Sequence, residues 1–200
     1  MRIAILIACI LASRPDLSGP ASARQLPYAA QAFDLGRTSD TALYDAFMQG
    51  YQLAPGETIG RAEIVTEFRR AVMIVRDHAR RAEYTFTEHD LAKAMAPFAG
   101  MVTVIVEARL HPLNTFTNAP HYDLYVETGR ATKPLAPESF KREAVFPFGA
   151  AGPRSPIVGV RLEGMFPRAD IEAASAPALV VIDDKANVIW KARLDLSRYR

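Results

Sequence analysis

This sequence predicts an α+β fold: helices in the N-terminal half, and an antiparallel β-sandwich or strongly bent sheet in the C-terminal half. Three observations carry that expectation. The longest helical periodicity, Arg61 to Ala82, precedes any clear alternation of apolar and polar residues. After Gly100 the period changes to two and recurs in several short runs. Pro134, Pro137, Pro147, Pro153, Pro156 and Pro167 punctuate those runs, as the edges and turns of short strands require.

The chain opens with a cationic pair, Met1-Arg2, and an uncharged apolar run from Ile3 to Ala12. Such a run is too short for a transmembrane helix, which needs roughly 20 apolar residues, and it matches the apolar core of an export signal. Ala21-Ser22-Ala23 then supplies a small-x-small cleavage pattern, so residues 1–23 read as a signal peptide and Arg24 as the mature start. An alternative uses Leu6-Ile7-Ala8-Cys9, whose apolar-apolar-small-Cys pattern would leave a lipid anchor on Cys9. Either way the expected location is periplasmic or secreted, in a bacterial setting.

Half of the residues are apolar and 23% are charged, the balance of a chain that buries a core. Without residues 1–23 the basic residues fall from 24 to 22 and the acidic from 22 to 21, so no strong field points to nucleic acid. Cys9 is the sole cysteine, so a chain cut at Ala23 has no disulfide and takes its stability from its core.

Residues 24–38 read as a loose leader, and residues 39–200 as a single α+β domain, helical over 39–98 and β over 100–196. Ser39 or Asp40 caps a short helix through about Gln49, with Leu43 and Phe47 one turn apart. Pro55-Gly56 marks a turn. In the long helix, Ile64, Val65, Phe68, Val72, Val75 and Ala79 share one stripe, expected to pack on the β layer. Glu67 with Arg70, and Asp77 with Arg81, have the spacings of helix ion pairs. Thr87 and Asp90 form a capping box for a second short helix through roughly Ala96, with Leu91 and Met95 inward.

Val102, Val104, Val106, Ala108 and Leu110 then line one face of a strand, with Thr103, Glu107 and Arg109 on the other. Further strands are expected at Tyr122 to Glu127, Glu143 to Phe148 and Ile157 to Phe166, the last alternating through Val158, Val160 and Leu162. Ala178 to Ile182 and Asn187 to Leu196 read as a hairpin turning at Asp183-Asp184-Lys185-Ala186, with Trp190 inward beside Val188 and Ala192.

The motifs of the common enzyme classes do not occur. There is no Gly-x-Ser-x-Gly, no His-Glu-x-x-His, and no glycine-rich phosphate loop or dinucleotide fingerprint. Three groups of residues remain as candidates. His111 and His121 bracket a loop and, with Asp123, would hold zinc if the strands on either side paired as a hairpin. Within that loop Asn114, Phe116 and Asn118 offer a binding tip. On the long helix Arg69, Arg76 and Arg80 recur at i, i+7 and i+11, a cationic rail for an anionic ligand or a partner.

His78, His89 and Asp183-Asp184 are explained without chemistry, by a helix boundary, a helix start and a tight turn. The expected function is therefore a non-catalytic binding or accessory module of the envelope, with a partner protein or a small ligand and no cofactor. The alternatives are a zinc-dependent hydrolase built on His111, His121 and Asp123, and a structural subunit that adds a sheet edge to an oligomer.

Overall fold

Thr66 separates two elements that helical periodicity alone would join. Its side chain accepts a hydrogen bond from the Arg69 N–H at 3.4 Å and so caps the helix that starts at Glu67, while the residues before it are extended. The computed structural model describes residues 26–129, 133–147 and 155–199; the expected signal segment and Cys9 lie outside them. The chain runs α1 (Ala29–Arg37), α2 (Thr41–Gln49), β1 (Ile59–Val65), α3 (Glu67–Arg80), α4 (Glu88–Met95), β2 (Met101–Arg109), β3 (Tyr122–Glu127), β4 (Ser139–Val145), β5 (Gly159–Pro167), α5 (Arg168–Glu172), β6 (Ala178–Asp183) and β7 (Val188–Arg193). Short 3-10 turns follow α4 and β7.

The strands form two antiparallel sheets, one of four strands in the order β1-β2-β5-β4 and one of three in the order β3-β6-β7. The fold is thus α+β, and among the described residues neither sheet closes into a barrel. Between the sheets lies one apolar core. Ile64, Val102, Val104, Val106, Leu162 and Phe166 come from the larger sheet, and Leu124, Val126, Leu179, Val181 and Trp190 from the smaller. The alternation read from Val102 onward sets this arrangement, because every second side chain of β2 enters that core. The outward face of the larger sheet carries charge instead: Arg61, Glu107, Arg161 and Glu143 stand opposite one another across the four strands.

Several expectations are corrected. The helix expected over Arg61 to Ala82 is strand β1 followed by α3, and Ile64 pairs with Val104 of β2. Helical spacing matched there because both Ile64 and Val65 are buried, one on each face of a covered strand. β1 also breaks into the stretch 39–98 that reads as wholly helical. The β4 strand begins at Ser139 rather than Glu143, and Val158 precedes β5 and is exposed while Ile157 is buried. In the last hairpin a register shift after Val181 turns Val188 out to solvent while Trp190 stays inside. Its turn is as read: Asp183 accepts from Lys185 N–H, Asn187 N–H and the Asn187 side chain. Those bonds, the Asn187 side chain foremost, hold the Asp183 carboxyl below its ordinary pKa.

The stretch expected to be a loose leader is helix α1 from Ala29 onward, packed on α3. Its buried face is Ala29, Ala32 and Gly36, small residues at helical spacing that leave little apolar signal in sequence yet let two helices approach closely. The Tyr28 hydroxyl fastens its start by donating to Glu67 Oε2 at 3.1 Å. Burial, with the Glu67 charge and that bond, pushes the phenol well above its ordinary pKa. Glu67 also accepts from Gly100 N–H, so it does not form the expected pair with Arg70.

The apolar face of α3 therefore meets helices and not the sheet. Phe68, Ala71, Val72 and Val75 join Ala29, Ala32, Leu91 and Met95 in a second core. Phe47 of α2 touches both cores, with ring contacts to Tyr51 at 5.2 Å and to Phe68 at 5.6 Å. A Cβ on Gly36 would lie 2.6 Å from Val75 Cγ1 and 3.0 Å from the Val72 carbonyl. Replacing Gly36 with Val is accordingly expected to force α1 away from α3, destabilising the protein by about 1–3 kcal/mol. Urea denaturation would show it as a lower midpoint; an unchanged midpoint would mean that α1 does not hold this position in solution.

Candidate functional site

The zinc triad is not assembled. β2 and β3 do not pair as a hairpin: β2 lies inside the four-stranded sheet, and β3 is the edge of the other. The loop between them crosses from one sheet to the other, so its two ends are not held face to face. His121 and Asp123 do meet, Nε2 to Oδ2 at 3.2 Å, but Asp123 Oδ1 is taken by Arg142 Nη2 at 3.1 Å. The His111 ring turns into its own loop and accepts from Leu113 N–H through Nδ1 at 3.1 Å. Among the described residues no three His, Cys, Asp or Glu side chains are grouped to hold a metal ion.

The loop itself is built around Asn114. Its side-chain N–H groups donate to the carbonyls of His111 at 2.7 Å and Ile157 at 3.1 Å, and its Oδ1 accepts from Phe116 N–H at 3.0 Å. Asn114 thus shapes the loop rather than offering itself to a ligand, while Asn118 is exposed. Ile157 N–H donates to the Phe116 carbonyl, Val158 N–H to Val145 and Leu110 N–H to Val158. These bonds gather the loop, the end of β4 and the start of β5 at one end of the larger sheet. Four large apolar side chains are left exposed there, Leu113 by 83%, Phe116 by 53%, Val158 by 46% and Phe146 by 44%.

No protein-family model, no curated protein and no solved structure matches this chain.

The arginine rail divides. Arg69 is fully buried: it donates through Nη1 to the Ile64 carbonyl at 2.6 Å and through Nη2 to Glu63, and it lies 5.4 Å from the Tyr51 ring. It joins α3 to β1 and cannot reach a ligand. Arg76 donates to the Thr38 carbonyl and lies 4.7 Å from the Tyr44 ring; Arg80 is exposed. Both border a cleft of about 360 Å³ lined also by Tyr44, Met73, Ile74 and Asp77.

The third cation of that cleft is Arg70, expected from its spacing to pair with Glu67. Its true partners, Thr103 Oγ1 at 2.6 Å and the Phe98 ring at 3.9 Å, lie far along the chain. One signal in the sequence bears on it: Arg69 sits one residue after the buried Phe68, close to the apolar stripe, whereas Arg70 points farther round the helix. Among the described residues no helix is long and apolar enough to cross a membrane.

Proposed function

We propose that this chain is an exported, non-catalytic binding module of a bacterial envelope, periplasmic or secreted, that docks a partner protein on the loop end of its larger sheet. The observation that carries the reading is the grouping of Leu113, Phe116, Phe146 and Val158, all exposed, on a backbone framework cross-linked by Asn114. Apolar residues scattered singly on a surface are ordinary. Four gathered at one end of a sheet are different, because they keep apolar area in water that a partner surface would remove. Asn114 favours protein docking further, since a loop already held in shape loses little conformational entropy on binding. The export part rests on residues 1–23, whose short apolar run and small-x-small end have the form of a cleaved signal.

Two measurements test the proposal. Chemical cross-linking in native envelope extract is compared between the wild-type protein and the Leu113→Asp, Phe116→Asp double variant. Charging an exposed patch leaves folding intact, and the expected result is a cross-linked species present with wild type and lost with the variant at unchanged Tm. Identical species from both would remove the docking surface from consideration. Mass spectrometry of the native product is expected to give a mature start at Arg24, and an intact Met1 would refute export.

A further inference from the structure

We infer that the cleft between α2 and α3 binds a phosphate monoester carrying an apolar substituent, with Arg76 and Arg80, one turn apart on α3, taking the phosphate and Arg70 adding to the positive field of the cleft. The inference is independent of the docking surface on the β layer. It starts from how the acids of α3 are used. Glu67 is occupied by the Tyr28 hydroxyl and Gly100 N–H, and Asp77, which lines the cleft, pairs with Arg81. Glu63 of β1 is occupied by Arg69 and Arg61. Among the described residues, Arg70, Arg76 and Arg80 therefore have no carboxylate within ion-pair distance, yet all three border one cleft.

Two of the three are already held in place. Arg70 is fixed by Thr103 Oγ1 and the Phe98 ring, and Arg76 by the Thr38 carbonyl and the Tyr44 ring. Arg76 Nε is buried and donates to nothing in the protein. Burial also weakens the hold of Arg70 on its proton, with Arg69 adding to that effect and Glu163 opposing it. A nearby anion favours the charged form. Preorganised guanidinium groups lose little entropy when an oxyanion arrives, and their forked N–H groups match phosphate oxygens two at a time.

The charge and shape of the cleft set the ligand class. Three guanidinium groups against one engaged carboxylate suit a group carrying roughly −1.5 to −2 near neutral pH, as a phosphate monoester does. Met73, Ile74 and the Tyr44 ring line the same cleft and would cover an apolar substituent beside the phosphate. Such a monoester exists free in solution or as the headgroup of phosphatidate in a membrane.

The test uses calorimetric titration of the full chain with phenyl phosphate and with inorganic phosphate, and co-sedimentation with phosphatidylcholine vesicles with and without phosphatidate. The expected result is saturable binding of phenyl phosphate, weaker binding of inorganic phosphate, and a loss of affinity on raising salt. Arg80→Gln, whose side chain makes no contact that folding needs, is expected to weaken phenyl phosphate by about tenfold or more, and Arg76→Gln to do likewise. Arg161→Gln on the β layer and Phe116→Asp are expected to leave it unchanged. Retention by phosphatidate vesicles that is lost in Arg80→Gln would assign the membrane source, and binding of phenyl phosphate alone the soluble one. No binding of phenyl phosphate or phosphatidate vesicles by the wild type overturns the inference, as does binding undiminished in both arginine variants.

Discussion

Replacing Glu63 with Ala is expected to destabilise this protein by about 3–5 kcal/mol, among the largest effects of any single substitution. The reason is the charge left behind. Arg69 is fully buried, and with Glu63 gone its guanidinium keeps only the Ile64 carbonyl and the distant face of Tyr51. Arg69→Met should cost a similar amount by stranding Glu63, which is itself buried and would keep only the half-exposed Arg61. Replacing both, with Ala at 63 and Met at 69, should cost less than the two single losses added together, because a buried ion pair broken on one side costs far more than one removed entire. Urea denaturation of the four proteins closes the cycle. If the two single losses simply add in the double variant, the pair is not coupled as the geometry implies.

The same pair sets a pH dependence with a definite sign. Burial alone would raise the Glu63 carboxyl, but the hydrogen bond and charge of Arg69, with those of Arg61, outweigh it and leave the pKa below the ordinary value. In the unfolded chain the carboxyl takes up its proton at about pH 4.3, the ordinary value for this group. In the folded chain it resists until lower pH. Glu63 therefore contributes fully above the unfolded pKa, and its contribution fades as pH falls through the folded one. The Glu63→Ala protein should show a shallower loss of stability in that acid range than the wild type.

How much of this was legible in sequence depended on how far along the chain each residue's partners lie. The strands β2, β3 and β5 follow from alternation, β6 from a short apolar run beside a turn, and the capping box of α4 from Thr87 and Asp90, because each signal is local. β1 was hidden by Val65, buried on the face opposite Ile64, so that the pair resembled the turn of a helix. Helix α1 was hidden by a buried face of Ala29, Ala32 and Gly36, which contributes through closeness of approach rather than through apolar bulk. At the candidate sites the same rule holds. Spacing put Arg69 in a solvent-facing rail, but its fate was decided by Glu63 across the cap at Thr66. The role of Arg70 was decided by Thr103, which reaches it only once β2 is in the sheet. His111 and His121 looked convergent because adjacent strands most often pair, and here the chain changes sheets between them.

Phe166→Ala is expected to cost about 3–5 kcal/mol as well, for a reason that lies in packing rather than charge. Phe166 is fully buried on β5 opposite Val102, in the core that the two sheets share. Its ring extends back over Gly164: a Cβ at that glycine would lie 3.0 Å from Phe166 Cε2, and also 3.0 Å from Leu124 Cδ2 of β3. The glycine thus leaves room where the ring and the opposing sheet meet, and removing the ring opens a void bounded by both sheets. Gly164→Ala in the wild type should be destabilising, since the ring, Leu124 and Pro137 all crowd the new methyl group. In the Phe166→Ala background the same change should cost less, because the ring no longer competes for the space. Denaturant midpoints for the four proteins measure that difference. Strict additivity would mean that residue 164 and the ring do not share the contact between the sheets.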